Sequence, residues 1–236
     1  MTRLAMLLVV AGLLLASCSA QGQKVGKMQD KSSSVPPENA KSVRAHLVMK
    51  AGELKVSGAA DELMEADFTY NVAKWKPQVN YDVSGDKGKL SVKQGSSGNN
   101  QLGSGARNEW DVRLNDEIPT DLSVEMGAGQ SDLDLDSLTL TGLDLQMGAG
   151  KTTVDLTGDY GRDFGAGIQG GVGQATVMLP SEIGVRARAE GGIGKINTKG
   201  LTKDGNFYVN DAYGNSDVTL NVDVEGGVGE INLEVV

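Results

Sequence analysis

Hydrophobic and polar residues alternate along six stretches of the chain, and each stretch ends in a glycine-rich tetrapeptide. Counting from the first residue of the tetrapeptide, apolar side chains stand four and two positions before it, and mostly polar ones stand between them. Alternation of this kind predicts a β-strand with one buried and one solvated face. The tetrapeptides are Met126-Gly-Ala-Gly129, Met147-Gly-Ala-Gly150, Gly170-Gly-Val-Gly173, Gly191-Gly-Ile-Gly194 and Gly226-Gly-Val-Gly229, with a weaker copy at Met49-Lys-Ala-Gly52.

The tetrapeptides recur at a nearly constant period. The five clear copies begin 21, 23, 21 and 35 residues apart, which is typical of stacked β architectures. After the last glycine of each copy the alternation resumes in the opposite phase, and a side-chain period of two changes phase only at a bulge, a corner or a turn. We therefore predict structural glycines that need positive φ: Gly52, Gly129, Gly150, Gly173, Gly194 and Gly229.

Two geometries fit the Gly-X-Gly segment. In a β-solenoid each repeat is one rung, Gly-X-Gly is a corner, and the apolar residue X points inward. In stacked β-hairpins Gly-X is a two-residue turn, which pairs Val124 with Ser131. The hairpin would leave Val172, Ile193 and Val228 in solvent, so we favour an all-β, solenoid-like stack of repeats of about 21 residues and keep stacked hairpins as the alternative.

The first 17 residues predict a secretory signal peptide. Arg3 supplies the positive start, and an apolar run that is too short for a membrane span follows it. The sequence Leu15-Ala-Ser-Cys18 resembles a bacterial lipobox, which implies cleavage before Cys18 and lipidation of that residue. Ordinary cleavage after Ala20 is the alternative. We expect a protein of the cell envelope, either in the outer membrane or on the outer face of the cytoplasmic membrane, that is periplasmic or extracellular.

The predicted domain organisation follows from composition. Residues 18–40 form the lipidated cysteine and a flexible polar tether, and residues 41–236 form one β-repeat domain. Within this domain, residues 59–121 interrupt the pattern as an insertion or cap, and residues 122–236 carry the regular repeats. The last strand, residues 230–236, ends with the chain and is expected to leave an edge open to a partner strand.

The aromatic residues of the interrupting segment are the candidate ligand platform. Aromatic side chains make up only 4% of the chain, yet Trp75, Tyr81 and Trp110 all lie here. The alternative is that they seal the open end of the stack, because aromatic residues are usually part of a core.

Charge and residue types exclude several function classes. The formal net charge of −9 argues against nucleic acid as a partner. The single histidine, His46, falls in a polar column of the repeats beside Ser123 and Asp144, where no pocket is expected for catalysis. Asp132 and Asp134 alternate along one strand as a solvated face would, and no metal site, catalytic residue or cofactor is predicted.

The repeats also carry a resemblance to a known family. The segments Asn108-Glu-Trp110-Asp-Val-Arg-Leu-Asn115, Ile118-Pro-Thr-Asp-Leu122, Met126-Gly-Ala-Gly129, Leu143-Asp-Leu-Gln-Met-Gly-Ala-Gly150 and Gly173-Gln-Ala-Thr-Val-Met-Leu-Pro180 resemble the toast-rack family. The C-terminal domain of LiaF-type cell-envelope stress regulators and the adhesin β repeats are similar in style. The resemblance implies a bacterial all-β protein and brings no catalytic residues with it.

The expected function is that of a non-enzymatic, lipid-anchored envelope protein. It would serve as an interaction, scaffold or adhesin-like module that touches the membrane through its anchor, with a link to envelope stress implied by the LiaF-type resemblance. The expected partner is an envelope protein or cell-wall glycan. The alternative is a β-solenoid that binds or cleaves cell-surface polysaccharide.

Overall fold

The structure is a computed structural model and describes residues 25–95 and 104–236. The signal peptide and Cys18 lie outside the described residues. Thirteen strands and one short 3-10 helix, Ala73–Trp75, occur in the described part of the chain. The strands are β1 Gln29–Val35, β2 Ser42–Ser57, β3 Met64–Tyr70, β4 Gln78–Ser84, β5 Lys87–Lys93, β6 Asn108–Leu114, β7 Thr120–Asp134, β8 Leu140–Asp155, β9 Phe164–Leu179, β10 Gly184–Lys199, β11 Thr202–Asp204, β12 Phe207–Val209 and β13 Thr219–Val235.

The six repeats form six long strands that lie side by side in parallel, in the spatial order β2-β7-β8-β9-β13-β10. The register aligns the last glycine of every Gly-X-Gly with its counterpart on the next strand. The predicted all-β stack of Gly-X-Gly repeats is therefore confirmed. The hairpin alternative is wrong, because each Gly-X-Gly lies inside one strand and pairs with neighbouring strands.

Each long strand bends at its Gly-X-Gly. A straight strand the length of β7 would span about 50 Å, whereas the few residues between Asp134 and Leu140 reach only about 20 Å. Because this short connection leads back to the start of the next parallel strand, β7 has to fold back on itself. The rung consequently has two arms with the Gly-X-Gly at the apex between them.

The last glycine of each Gly-X-Gly is set by two constraints. Its φ lies between 133° and 152° in all six copies, a region that side chains with a Cβ rarely adopt. A Cβ on Gly129, Gly150, Gly173, Gly194 or Gly229 would also overlap the carbonyl oxygen of the equivalent glycine on the adjacent strand. Only glycine lets the backbones approach closely enough for adjacent strands to pair at this position.

The hydrophobic core lies between the two arms. Leu122 and Val124 from the first arm of β7 and Leu133 from its second arm are fully buried, as are their counterparts on neighbouring rungs. The inward positions change from even to odd residue numbers across Gly129. The phase change in the sequence therefore keeps both arms facing one core.

The predicted tether is wrong over part of its length. Residues 29–35 form β1, which pairs antiparallel with β3. Its polar residues gave no apolar signal because β1 is an edge strand, held mainly by backbone hydrogen bonds to β3. Only Val35, at its end, is buried.

The interrupting segment supplies strands at the β2 end of the stack. The first arm of β2 pairs with β5, which pairs with β4, and the second arm pairs with β6, which leads to β3 and β1. Trp110 of β6 is buried and meets Phe68 of β3 edge to face, with ring centroids 5.3 Å apart. This aromatic pair packs in the core at that end.

The two final repeats exchange places in space. The strand β13 lies between β9 and β10, although β10 follows β9 in the chain. The expectation of an open edge at residues 230–236 is therefore wrong, because β13 is paired on both sides. The free end of the stack is β10, and the segment 201–215 covers only its first arm, through the pairing of β12 with Arg186 and Ala187.

Candidate functional site

The three aromatic residues of the candidate platform are not presented together. Trp110 is 1% exposed and lies in the core, and Trp75 is 4% exposed on the short 3-10 helix. Tyr81 is half-buried on β4, and its hydroxyl donates a hydrogen bond to the Pro37 carbonyl at 2.9 Å. A stacking platform needs exposed ring faces, so the burial of both tryptophans rules out the three-residue platform. Trp75 lines a surface groove.

The polar column that contains His46 is not a catalytic triad. His46, Ser123 and Asp144 are in-register neighbours on β2, β7 and β8. The His46 Nε2 atom, however, lies 2.9 Å from a carboxylate oxygen of Glu125, two residues further along β7. The histidine thus holds a carboxylate in place on the exposed face of the sheet.

The alternating aspartates sit beside one another on β7 and β8. Asp134 is the in-register neighbour of Asp155, and burial together with the charges of Asp136 and Asp155 raises the pKa of Asp134 above its usual range. No group of three or more His, Cys, Asp or Glu side chains is placed to hold a metal ion in residues 25–95 and 104–236.

A long groove runs across the rungs beside the apex. It crosses β2, β7, β8, β9 and β13, has a volume of about 940 Å³, and is about 19 Å long at the usual spacing between strands. Its floor is the row of first glycines of the Gly-X-Gly segments, which have no side chains to fill it. These residues are Gly127, Gly148, Gly171 and Gly227. We call this surface the glycine groove.

One wall of the glycine groove is a row of hydrogen-bonding side chains, one from each successive strand. Glu125, Gln146, Gln169 and Glu225 are in-register neighbours on β7, β8, β9 and β13, and all four are exposed. The row therefore offers a carboxylate or an amide at each step of the strand repeat.

Gln94 stands at the β2 end of the glycine groove. It is 6% exposed, and its Oε1 accepts hydrogen bonds from the backbone N–H groups of Lys50 at 2.7 Å and Ala51 at 3.3 Å. Its Nε2 is buried and has no hydrogen-bond partner among the described residues. Because the hydrogen bonds from β2 fix Oε1, Nε2 points away from that strand.

A second surface is the outer side of β10. Beyond Ala187, β10 pairs with β13 on one side and has no strand on its other side in the described part of the chain. Residues 190–199 are all exposed. We call this stretch the β10 edge. Such an edge carries unpaired backbone donors and acceptors and is a template for another strand.

An apolar row along the apex leads to the β10 edge. The residues between the glycines are in register, and their side chains grow from alanine to valine to isoleucine toward that edge. Val172, Val228 and Ile193 are 56%, 46% and 73% exposed. The expectation that these residues point inward is therefore wrong, because the core-facing positions are those on either side of the apex. We call the row the apolar ladder: Ala51, Ala128, Ala149, Val172, Val228 and Ile193.

Sequence reasoning missed Gln94 and the glycine groove. Gln94 lies outside the repeats and gives no periodic signal, so only the tertiary structure places it beside β2. The wall of the groove was visible as an alternating polar column, yet alternation alone does not distinguish a groove wall from an ordinary solvated face.

Together these features define a class of protein: an all-β stack of bent parallel strands whose exposed chemistry lies along the apex and at one edge. The family model described as "N-terminal domain of toast_rack, DUF2154" matches residues 24–178. The chain belongs to this toast-rack family.

Within residues 25–95 and 104–236, no helix has the length and apolarity needed to cross a membrane.

One solved structure supports this assignment. A "putative cell adhesion protein" from Clostridium sporogenes is similar with a TM-score of 0.87 and 36% identity, over 89% of this chain and 100% of that chain. A "putative adhesin" from Bacteroides fragilis is 10% identical over 88% of this chain and 97% of that chain, with a TM-score of 0.28. A search of curated proteins found no match.

Proposed function

We propose that this protein is a non-enzymatic, lipid-anchored adhesion module of the bacterial cell envelope that binds an extended segment of another envelope protein along the β10 edge. The observation that carries the proposal is that this edge is unpaired over residues 190–199, while the segment 201–215 covers the other arm of the same strand. Natural proteins usually protect their sheet edges, so leaving half of one strand open favours a binding role.

The lipid anchor and the relative support the location. The lipobox-like sequence ending at Cys18 would attach the chain to a membrane, and the similar Clostridium sporogenes protein bears the name of a cell adhesion protein. A link to envelope stress rests on the LiaF-type resemblance alone. Metabolic labelling with a radioactive fatty acid tests the anchor: the protein should carry the label, Cys18→Ser should lose it, and an unlabelled wild-type protein would contradict it.

The charges at the β10 edge favour an acidic partner segment. The chain has a net charge of −9, yet Lys195 and Lys199 lie on the edge and Lys203 follows on β11. None of the three forms an ion pair within the described part of the chain. Two copies joined through this edge would bring the four edge lysines together, which is unfavourable for cross-strand pairs. A partner segment in which acidic residues flank an apolar residue would therefore complement Ile193 and the lysines of the edge.

In-cell photo-crosslinking tests this proposal. A photoreactive amino acid at Ile193 or Asn197 should capture one envelope protein, whereas the same residue at Thr153, on the covered strand β8, should not. The charge reversal Lys195→Glu should reduce the crosslink several-fold. Lys151→Glu is the matched control, because Lys151 occupies the equivalent column on an interior strand.

Other outcomes would contradict the proposal. Capture of a second copy of the chain would assign the edge to self-association. Equal crosslinking from Ile193 and Thr153, or no crosslinked protein from either position, would show that the β10 edge does not bind the partner.

A further inference from the structure

The regular wall of the glycine groove has a chemical consequence. Glu125, Gln146, Gln169 and Glu225 present one polar side chain per strand along the groove, at a repeat of about 4.8 Å. A ligand that uses the whole row must itself be a chain with polar groups repeating at a similar distance. The length of one hexose unit in an extended glycan is comparable to this repeat.

We propose that the glycine groove is a binding site for an extended, uncharged glycan chain, a site separate from the β10 edge. The sugar hydroxyls would donate to the carboxylates of Glu125 and Glu225 and exchange hydrogen bonds with the amides of Gln146 and Gln169. The glycine floor would let the sugar ring lie directly on the backbone, where a side chain would keep it away.

The backbone of the groove disfavours a peptide ligand. The strands β7, β8, β9 and β13 are each paired in parallel on both sides, so none of them offers the free edge that a peptide strand would pair with. A peptide strand binds mainly through backbone N–H and C=O groups, whereas a glycan binds through side chains. The groove offers side chains.

Charge selects among glycans. The wall carries two carboxylates, and lining cations are limited to Lys50 at the β2 end. A polyanionic chain would place its carboxylates or sulfates against Glu125 and Glu225, which costs electrostatic energy. The His46 contact at 2.9 Å fixes the position of Glu125 as an acceptor, so the site is built to receive hydroxyl donors.

Gln94 provides the independent sign of a ligand. Its side chain is 6% exposed and lines the groove, and its Nε2 lacks an acceptor among the described residues. A buried amide donor without a partner is costly, and a hydroxyl oxygen of a sugar at the end of the groove would satisfy it. Trp75 closes the same end, so the chain terminus of the glycan would lie against Trp75 and Gln94.

Binding of defined oligosaccharides to the purified full chain tests the proposal. The probes are cellohexaose, chitohexaose, maltohexaose and laminarihexaose, with a polygalacturonate hexamer as the anionic counterpart, measured by titration calorimetry. At least one neutral hexamer should bind more tightly than its trimer, because the groove spans five strands, and the anionic hexamer should bind at least ten-fold more weakly.

Matched variants locate the site. Gln146→Ala combined with Gln169→Ala should weaken binding at least ten-fold without changing the melting temperature. Gln130→Ala combined with Gln174→Ala removes the same side chains on the other side of the apex and should leave binding unchanged. Gln94→Glu keeps the acceptor for Lys50 and Ala51 and removes the donor, and it should weaken binding of the hexamer.

Three results would overturn the site. The first is that no neutral hexamer binds at millimolar concentration. The second is that both double variants lose affinity equally, and the third is that the polygalacturonate hexamer binds more tightly than the neutral hexamers. Because none of these probes uses the β10 edge, failure here leaves the crosslinking result at Ile193 unaffected.

Discussion

Gly150 of β8 packs directly against the carbonyl oxygen of Gly129 of β7, with a φ of 139°. This relationship recurs from rung to rung and holds the stack together at its apex. Any side chain at position 150 has to push the two backbones apart and adopt a strained conformation. The sensitivity of the fold to a single methyl group should therefore be greatest in this row of glycines.

The first prediction concerns that row. Gly150→Val should lower the free energy of unfolding by about 2–4 kcal/mol, because backbone strain and steric overlap add. Thermal unfolding followed by circular dichroism measures it. Gly165→Val is the control, since Gly165 lies in β9 with free space where its Cβ would be. Equal melting temperatures for the two variants would contradict the apex model.

The second prediction concerns a partly open pocket beside the bend. A cavity of about 180 Å³ lies beside β9, where Gly170 and Ala175 are both small. The counterpart of Ala175 on β13, by contrast, is Ile231. Ala175→Val should raise the melting temperature by about 2–4 °C, because two buried methyl groups contribute about 1 kcal/mol. Thr176→Val, on the opposite face, should have little effect, and a lower melting temperature for Ala175→Val would show that the pocket does not accept the methyl groups.

The third prediction concerns Asn210, which anchors the segment 201–215 over the first arm of β10. Its Oδ1 accepts from the Val185 N–H at 2.9 Å, and its Nδ2 donates to the carbonyls of Pro180 and Ile183 at 3.0 and 2.8 Å. Asn210 is 5% exposed, so Asn210→Ala leaves three buried groups unsatisfied and should cost about 2–4 kcal/mol. Asn215→Ala, at an exposed turn, is the control. Hydrogen exchange should accelerate at Val185 only in the first variant, and unchanged exchange there would contradict this role.

The fourth prediction concerns pH. Burial, followed by the charges of Asp136 and Asp155, raises the pKa of Asp134, so the folded protein holds this proton more tightly than the unfolded chain does. The contribution of Asp134 to stability is therefore lost as the pH rises through its folded pKa. Asp134→Asn should raise the melting temperature at pH 7 by about 1–2 °C and leave it unchanged near pH 3.

Asp132→Asn is the control for this pH dependence. Asp132 lies on the same face of β7, but its in-register neighbours are Lys55 and Thr153 instead of a carboxylate. Its replacement should not raise the melting temperature at pH 7. A larger gain for Asp132→Asn than for Asp134→Asn would show that the carboxylate pair is not the cause.

The strands of the stack were predictable because their signal is local. Leu122, Val124 and Met126 alternate with polar residues, and the phase change at Gly129 marks the apex. The burial of Trp110 was also predictable, because the sequence offered a sealed end of the stack as the alternative to a ligand platform. The strand β1 was not predictable, because its residues Gln29–Val35 depend on pairing with β3 and carry little apolar pattern of their own.

The sequence by itself determined the rungs, their bend at Gly-X-Gly and the residues of the two arms that face the core, because alternation and glycine conformation act within a few residues. Tertiary structure alone decided that β13 inserts between β9 and β10. Repeats with the same pattern can pair in more than one order, so the order depends on how the connections and the segment 201–215 pack. That order exposes the β10 edge, while long-range contacts also bring Gln94 to the end of the glycine groove.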